Sequence, residues 1–160
     1  MTRHHVTVRF RVVLYGLAVS IASSAITKVT LRGAGEDVMA DKLLFVMMNT
    51  DIGNPLEVST PFFQATIAAA MEYEVEVVFT GRAGFLAEQG VAEKILIQEG
   101  GTKTVYDLIR EAHAAGVKFK TCSQIMDRVS GALIPEIEAT VGGAYVISQA
   151  MNDNTVTFTY

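Results

Sequence analysis

The chain has 160 residues, half of them apolar, and a formal charge of −4. That length and apolar content support one domain with its own core, and an acidic balance with no basic stripe argues against a nucleic-acid partner. A single cysteine excludes an intrachain disulfide and any zinc site built from several thiolates, and it suits a reducing, cytoplasmic compartment.

Residues 1–38 differ from the remainder. Arg3, His4, His5, Arg9 and Arg11 precede an apolar run, Val12–Ala25, that closes on Ala22-Ser23-Ser24-Ala25. A charged start, a short apolar stretch and a small-residue exit are the pattern of a secretory signal, and the protein is exported if residues 1–25 work as one. The run is short for a membrane span, so no stable span is expected. Met39-Ala40-Asp41-Lys42 also reads as a natural beginning, with Met1 an upstream start, and this is the preferred reading; an arm used in assembly is a third. His4 and His5 lack further ligands, so no metal site is expected. The expected division is an N-terminal extension, 1–38, and an α/β domain, 39–160.

From Met39 the chain alternates strands and helices. Leu43–Met48 is a continuous apolar run, the pattern of a strand buried on both faces of a parallel sheet, and it stops at the loop Asn49-Thr50-Asp51-Ile52-Gly53-Asn54-Pro55. Leu56–Tyr73 carries Phe63, Ile67, Ala70 and Met71 at helical spacing, with Ser59 or Thr60 as N-cap and Pro61 in the first turn. Val75, Val77, Val78 and Phe79 form a second strand, with Glu74 and Glu76 interleaved at its start, and Thr80-Gly81-Arg82-Ala83-Gly84 is the turn at its carboxyl end. Arg82 there is either an anion contact or an ordinary exposed loop residue.

Residues 85–99 read as a short helix or an apolar flap. Thr102–Gly116 is an amphipathic helix ending in a glycine cap, with His113 in its last turn, where capping or solvation suits it better than general-base work. Val117–Thr121 is the third strand. Ser123–Ser130 reads as a short helix, Gly131–Pro135 as a connection, Ile137, Ala139 and Val141 as a strand, Gly142–Met151 as a helix and Thr155–Tyr160 as the last strand. Strands alternating with helices imply a mostly parallel five-stranded sheet covered on both faces, with right-handed crossovers.

Cys122 falls at the carboxyl end of the third strand, where open α/β sheets keep their chemistry. A thiol at such a junction is activated by the positive end of the following helix and by nearby cations, here Lys118, Lys120 and Arg128. The competing reading is a small buried hydrophobe without chemistry. No glycine-x-serine-x-glycine elbow, metal-spaced His/Glu set or glycine-rich nucleotide fingerprint is present, and the loop Asn49–Pro55 is too poor in Ser, Thr and Gly for a flavin phosphate cradle. No cofactor is expected.

The segment Thr121-Cys122-Ser123-Gln124-Ile125-Met126-Asp127, leading through Leu133-Ile134-Pro135 to Val141-Gly142-Gly143-Ala144, together with the opening strand and its Asn49-Thr50-Asp51 loop, resembles the DsrE/DsrF-like family of small sulfur-relay proteins. The resemblance runs from about Lys42 to Tyr160. It implies a flavodoxin-like three-layer α/β sandwich, a homotrimer or hexamer, and a cysteine that carries sulfane sulfur as a persulfide between donor and acceptor proteins. On that basis Cys122 is the catalytic candidate, with Asn49, Thr50, Gly81, Arg82, Lys120 and Ser123 as candidate substrate-binding residues. Some relatives carry a further cysteine near the first loop, where this chain has Asn49, Thr50 and Asp51, so a two-thiol mechanism within one subunit is excluded. Other relatives lack a working cysteine, which leaves a non-catalytic structural or regulatory subunit as the alternative.

Overall fold

The computed structural model describes residues 40–160. The signal-like run, the histidine pair and the proposed extension lie outside the described residues. Five strands form one all-parallel sheet: β1 (Lys42–Met47), β2 (Glu74–Phe79), β3 (Lys118–Cys122), β4 (Ile137–Val141) and β5 (Thr155–Thr159), in the order β4-β3-β2-β1-β5. Helices α1 (Pro55–Ala70) and α2 (Val105–Ala114) join β1 to β2 and β2 to β3, α3 (Ser123–Met126) follows β3, and α4 (Gly143–Ala150) joins β4 to β5. The α/β sandwich expected from the alternating pattern is the fold observed, with the flavodoxin-like arrangement of helices on both sides of a parallel sheet.

Strand side chains alternate between faces, and the two faces differ. Phe45, Met47, Val77, Phe79 and Phe119 point to the side of α1 and α2, where they meet Val58, Phe62, Ala65, Val105, Leu108 and Ile109 in one buried cluster. Phe62, Phe79 and Phe119 are mutually within 5.6–6.2 Å between ring centroids. On the other side Leu44, Val46 and Val78 form a smaller cluster against Val141 of β4 and Val146 of α4. β5 flanks β1, and its Phe158 and Tyr160 stack on Phe45 at 5.0 and 5.9 Å.

Helix starts follow local capping chemistry. Asn54 caps α1 by accepting from the Leu56 N–H at 3.1 Å, with Pro55 in the first turn. The expected start at Ser59 or Thr60 with Pro61 is therefore corrected: Pro61 lies inside the helix, and the Asn54-Pro55 pair supplies both the cap and the proline that belongs beside it. α2 begins at a capping box, Thr104 with Asp107, and Gly116 ends it at φ +101°. The turn expected at residues 80–84 is a longer 3-10 helix, Gly81–Ala87, followed by a second short one, Ala92–Lys94. The helix expected over residues 123–130 stops after one turn at Met126.

Candidate functional site

The carboxyl edge of the sheet gathers the β1–α1 loop, the start of the 3-10 helix, Cys122 with α3, and the Gly142-Gly143 turn. Cys122 is the last residue of β3, the N-cap of α3 and a free thiol, 5% exposed. It pairs with Val141 of β4. Strand alternation puts it on the side of Lys118 and Lys120, which is the side covered by α4.

Gly81 is positive in φ, and a Cβ there would stand 2.6 Å from the Met48 carbonyl oxygen, so the close approach of β1 and the 3-10 helix requires glycine. Gly84 is constrained differently, since a Cβ would meet Ile125 Cγ1 at 2.6 Å, and its absence lets the 3-10 helix lie directly on α3. Downstream of α3, Glu88 accepts from Ser130 Oγ at 3.0 Å and from the Gly131 N–H at 2.9 Å, while the Ile134 N–H reaches the Ala87 carbonyl at 2.9 Å. The segment after Cys122 is thus fastened to the 3-10 helix at both ends.

Between these elements lies a groove of about 470 Å³ lined by Gly81, Arg82, Phe85, Gln124, Ile125 and Arg128. Arg82 reaches Asp51 at 3.5 Å, an exposed and loose ion pair. Of the expected substrate-binding set, Gly81 and Arg82 line this groove and Ser123 is the first residue of α3 beside it. Asn49 is exposed in the β1–α1 loop, and Thr50 is buried, its hydroxyl without a partner among the described residues.

Lys120 lies on the same side of the sheet as Cys122 and bonds a buried carboxylate there. Its ammonium donates to Glu76 Oε2 at 2.8 Å and contacts the Tyr145 hydroxyl, lying 4.5 Å from that ring's centroid. Lys42 donates to the same Glu76 oxygen at 3.1 Å and to Gln149 at 2.6 Å, and Tyr145 Oη donates to it at 2.9 Å. Lys118 is likewise engaged, with Glu74 at 3.1 Å. Lys120 thus faces a buried carboxylate, whereas the partner of Lys118 is exposed.

Sequence reasoning missed the Glu76 cluster, Gln124 and the groove wall at Phe85. Glu76 looked like the polar half of an alternating strand start, and only the parallel register, which sets Glu76 beside Leu44 and Lys118, reveals that lysines from both neighbouring strands converge on it. Arg128 was noticed for its nearness to Cys122 in sequence, and it is found on the groove, exposed. Among the described residues no cluster of three or more His, Cys, Asp or Glu side chains is placed to hold a metal, and no helix is long and apolar enough to cross a membrane.

No curated protein matches the chain. The model of the DsrE/DsrF-like family matches residues 41–159, a span that takes in every strand and helix described above and has Cys122 at the end of its third strand. With about three quarters of its length covered by that match, the chain belongs to the DsrE/DsrF-like family.

Proposed function

We propose that the chain is a sulfur carrier of the sulfurtransferase type in which Cys122 holds sulfane sulfur as a persulfide. The observation that carries this reading is the position of the one cysteine, at the carboxyl end of β3 and capping α3, in a domain of a family associated with sulfur relay. The Cys122 thiolate attacks the outer sulfur of a donor persulfide; a new S–S bond forms at Cys122 as the donor's bond breaks, and the donor leaves as a thiolate. A second exchange of the same kind passes the sulfur to an acceptor protein's thiol. No net oxidant is required. Donor and acceptor proteins, assembly as a homotrimer or hexamer, and a cytoplasmic location belong to this proposal.

At 5% exposure the thiol needs an opening to react. Release of α3, a single turn without a side-chain cap, from its fastening on the 3-10 helix is the opening this reading requires. The same burial favours a second reading, a non-catalytic structural or regulatory subunit, and exposed Phe63 and Ile67 on α1, Met71 just after it and Ile147 on α4 offer apolar surface for assembly. Mass spectrometry of the intact protein and its peptides after polysulfide treatment separates the two. A sulfur increment confined to the Cys122 peptide, absent in Cys122→Ser and transferable to an acceptor thiol, is the carrier result. A folded oligomer that takes up no sulfur supports the subunit reading and ends the carrier one.

A further inference from the structure

The two edges of the sheet are built differently. β4 closes one of them with the charged Glu138 at its centre and a shift of register against β3 between Phe119 and Lys120, and charge and irregularity are what keep an edge from pairing further. β5 closes the other edge with neither. Residues 154–160 carry no charged side chain and no proline, the register with β1 runs unbroken from Thr155 to Thr159, and Val156 to Thr159 are all exposed. The Asn154 carbonyl accepts from the Lys42 N–H at 3.1 Å, and the Tyr160 N–H donates to the Val46 carbonyl at 3.0 Å. Even-numbered residues therefore turn their backbone groups to β1, while Thr155, Thr157 and Thr159 turn theirs outward. Among the described residues the only strand beside β5 is β1.

The strand's own pattern selects its partner. Thr155-Val156-Thr157-Phe158-Thr159 alternates threonine and apolar residues identically in both directions. An antiparallel copy centred on Thr157 sets Thr157 against Thr157, Thr155 against Thr159 and Val156 against Phe158. Threonine pairs and pairs of an aromatic with a β-branched residue are favourable cross-strand neighbours, and in an acidic chain this edge brings no like charges together. The apolar half extends onto α1. Tyr160 contacts Gln64 through its hydroxyl, which places that stripe of the helix on the β5 side, and Ile67 and Met71 continue the stripe at helical spacing. Ile67, Met71, Val156 and Phe158 are 39–62% exposed, a row of large apolar side chains left in water along one edge. We propose that the outer edge of β5 pairs with the same edge of a second copy of this chain, antiparallel about Thr157, so that two sheets become one. The contact is isologous, and its two-fold axis, perpendicular to the sheet, keeps Val156 and Phe158 of both copies on the α1 side. It does not rest on the carrier reading, because β2 and β1 separate β5 from the strand that ends in Cys122.

The test is sedimentation velocity of the full chain, wild type against Thr157→Lys, at one protein concentration. The substitution sets two ammonium groups opposite each other at the two-fold axis, and the assembly is expected to fall to half the wild-type mass. Thr140→Lys, on the exposed β4 edge, is expected to leave the mass unchanged, and circular dichroism verifies the fold of both variants. Register is read by disulfide trapping in a Cys122→Ser background, which leaves the introduced thiol alone. Opposed residues of such a pair lie about 5.5 Å apart between Cα atoms, within reach of a disulfide. Thr157→Cys, which meets its own copy, is expected to give a crosslinked dimer on mild oxidation, and Thr155→Cys, which meets Thr159, is not. A monomeric wild type overturns the proposal, as does an assembly whose mass Thr157→Lys leaves intact. Crosslinking at Thr155→Cys as ready as at Thr157→Cys overturns it too, since the two edges then meet in another register or not at all. Polysulfide labelling of Cys122 in Thr157→Lys reads the carrier proposal separately, and neither result depends on the other.

Discussion

Over one face of the sheet, α1 and α2 bury Phe45, Phe62, Phe79 and Phe119 in a continuous apolar layer. Over the other, α4 buries none of its own residues, packs Val146 on three strand side chains, and reaches the sheet through Tyr145 and Gln149, which meet the Glu76 carboxylate and its two lysines. The first layer is driven by removal of apolar area from water, which is large and directionless. The second depends on directional contacts among buried charges, which specify position more than they add stability. Cys122 and the Gly142-Gly143 turn lie on the second side, the one with the smaller apolar cluster.

Substitutions on the two sides should expose the contrast. Phe119→Ala removes a fully buried ring from the thick face and is expected to cost about 4 kcal/mol, read as a lower urea midpoint. A loss no larger than that from Val146→Ala under α4 would erase the difference between the faces. Glu76→Gln leaves Lys42 and Lys120 without their carboxylate and is expected to cost about 3 kcal/mol. Replacing Glu76, Lys42 and Lys120 together by methionine should recover most of that stability, because three apolar chains of similar length need no mutual compensation. A triple variant as unstable as Glu76→Gln would show that the ion cluster contributes net stability.

Acid sharpens the comparison further. Burial pushes the Glu76 carboxyl up, but hydrogen bonds from Lys120, Lys42 and Tyr145 outweigh it and hold it below its ordinary value. The charged form is therefore the stabilising one: its contribution is complete above the unfolded-state value of about 4.3 and is lost as pH falls through the lower folded-state value. Lys120 is the mirror case. Burial pushes its ammonium down, bonds to Glu76 and Tyr145 outweigh that, and the result is raised, so its contribution is complete below about 10.4 and is lost as pH rises through the folded value. The urea midpoint of the wild type should therefore fall at both extremes, and the triple methionine variant should fall less at each. Identical pH profiles would remove the cluster from the account. The smallest effect expected is from Thr104→Ala at the α2 capping box, about 1 kcal/mol, and it should not vary with the state of the α4 side.

The thick face was readable from sequence because its signals are local. Leu43–Met48 and Val75–Phe79 announce buried strands as apolar runs, and the amphipathic period of residues 102–116 announces α2. The start of α1 was misread because two prolines six residues apart, Pro55 and Pro61, each follow a residue able to cap, and only the chain path chooses between them. Cys122 was legible at its strand end, as was the interest of Arg82. The Glu76 cluster was not, because its members come from β1, β2, β3 and α4 and share no local pattern. For Lys120, closeness to the thiol in sequence was visible, and its bond to the carboxylate one strand away was not. Gln124 and Phe85 became site residues only through the absence of a side chain on Gly84, which lets two short helices meet.

β5 has a consequence for the order of events during synthesis. β1 is laid down near the start of the described domain and pairs with β2 soon afterwards, yet its other edge is closed only by β5 from the far end of the chain. Until Thr155–Thr159 has left the ribosome, β1 carries a bare row of backbone donors and acceptors, and Phe45 lacks the rings of Phe158 and Tyr160. A nascent chain halted before those residues presents an open apolar strand edge, the form most readily captured by chaperones or by another nascent chain of the same kind.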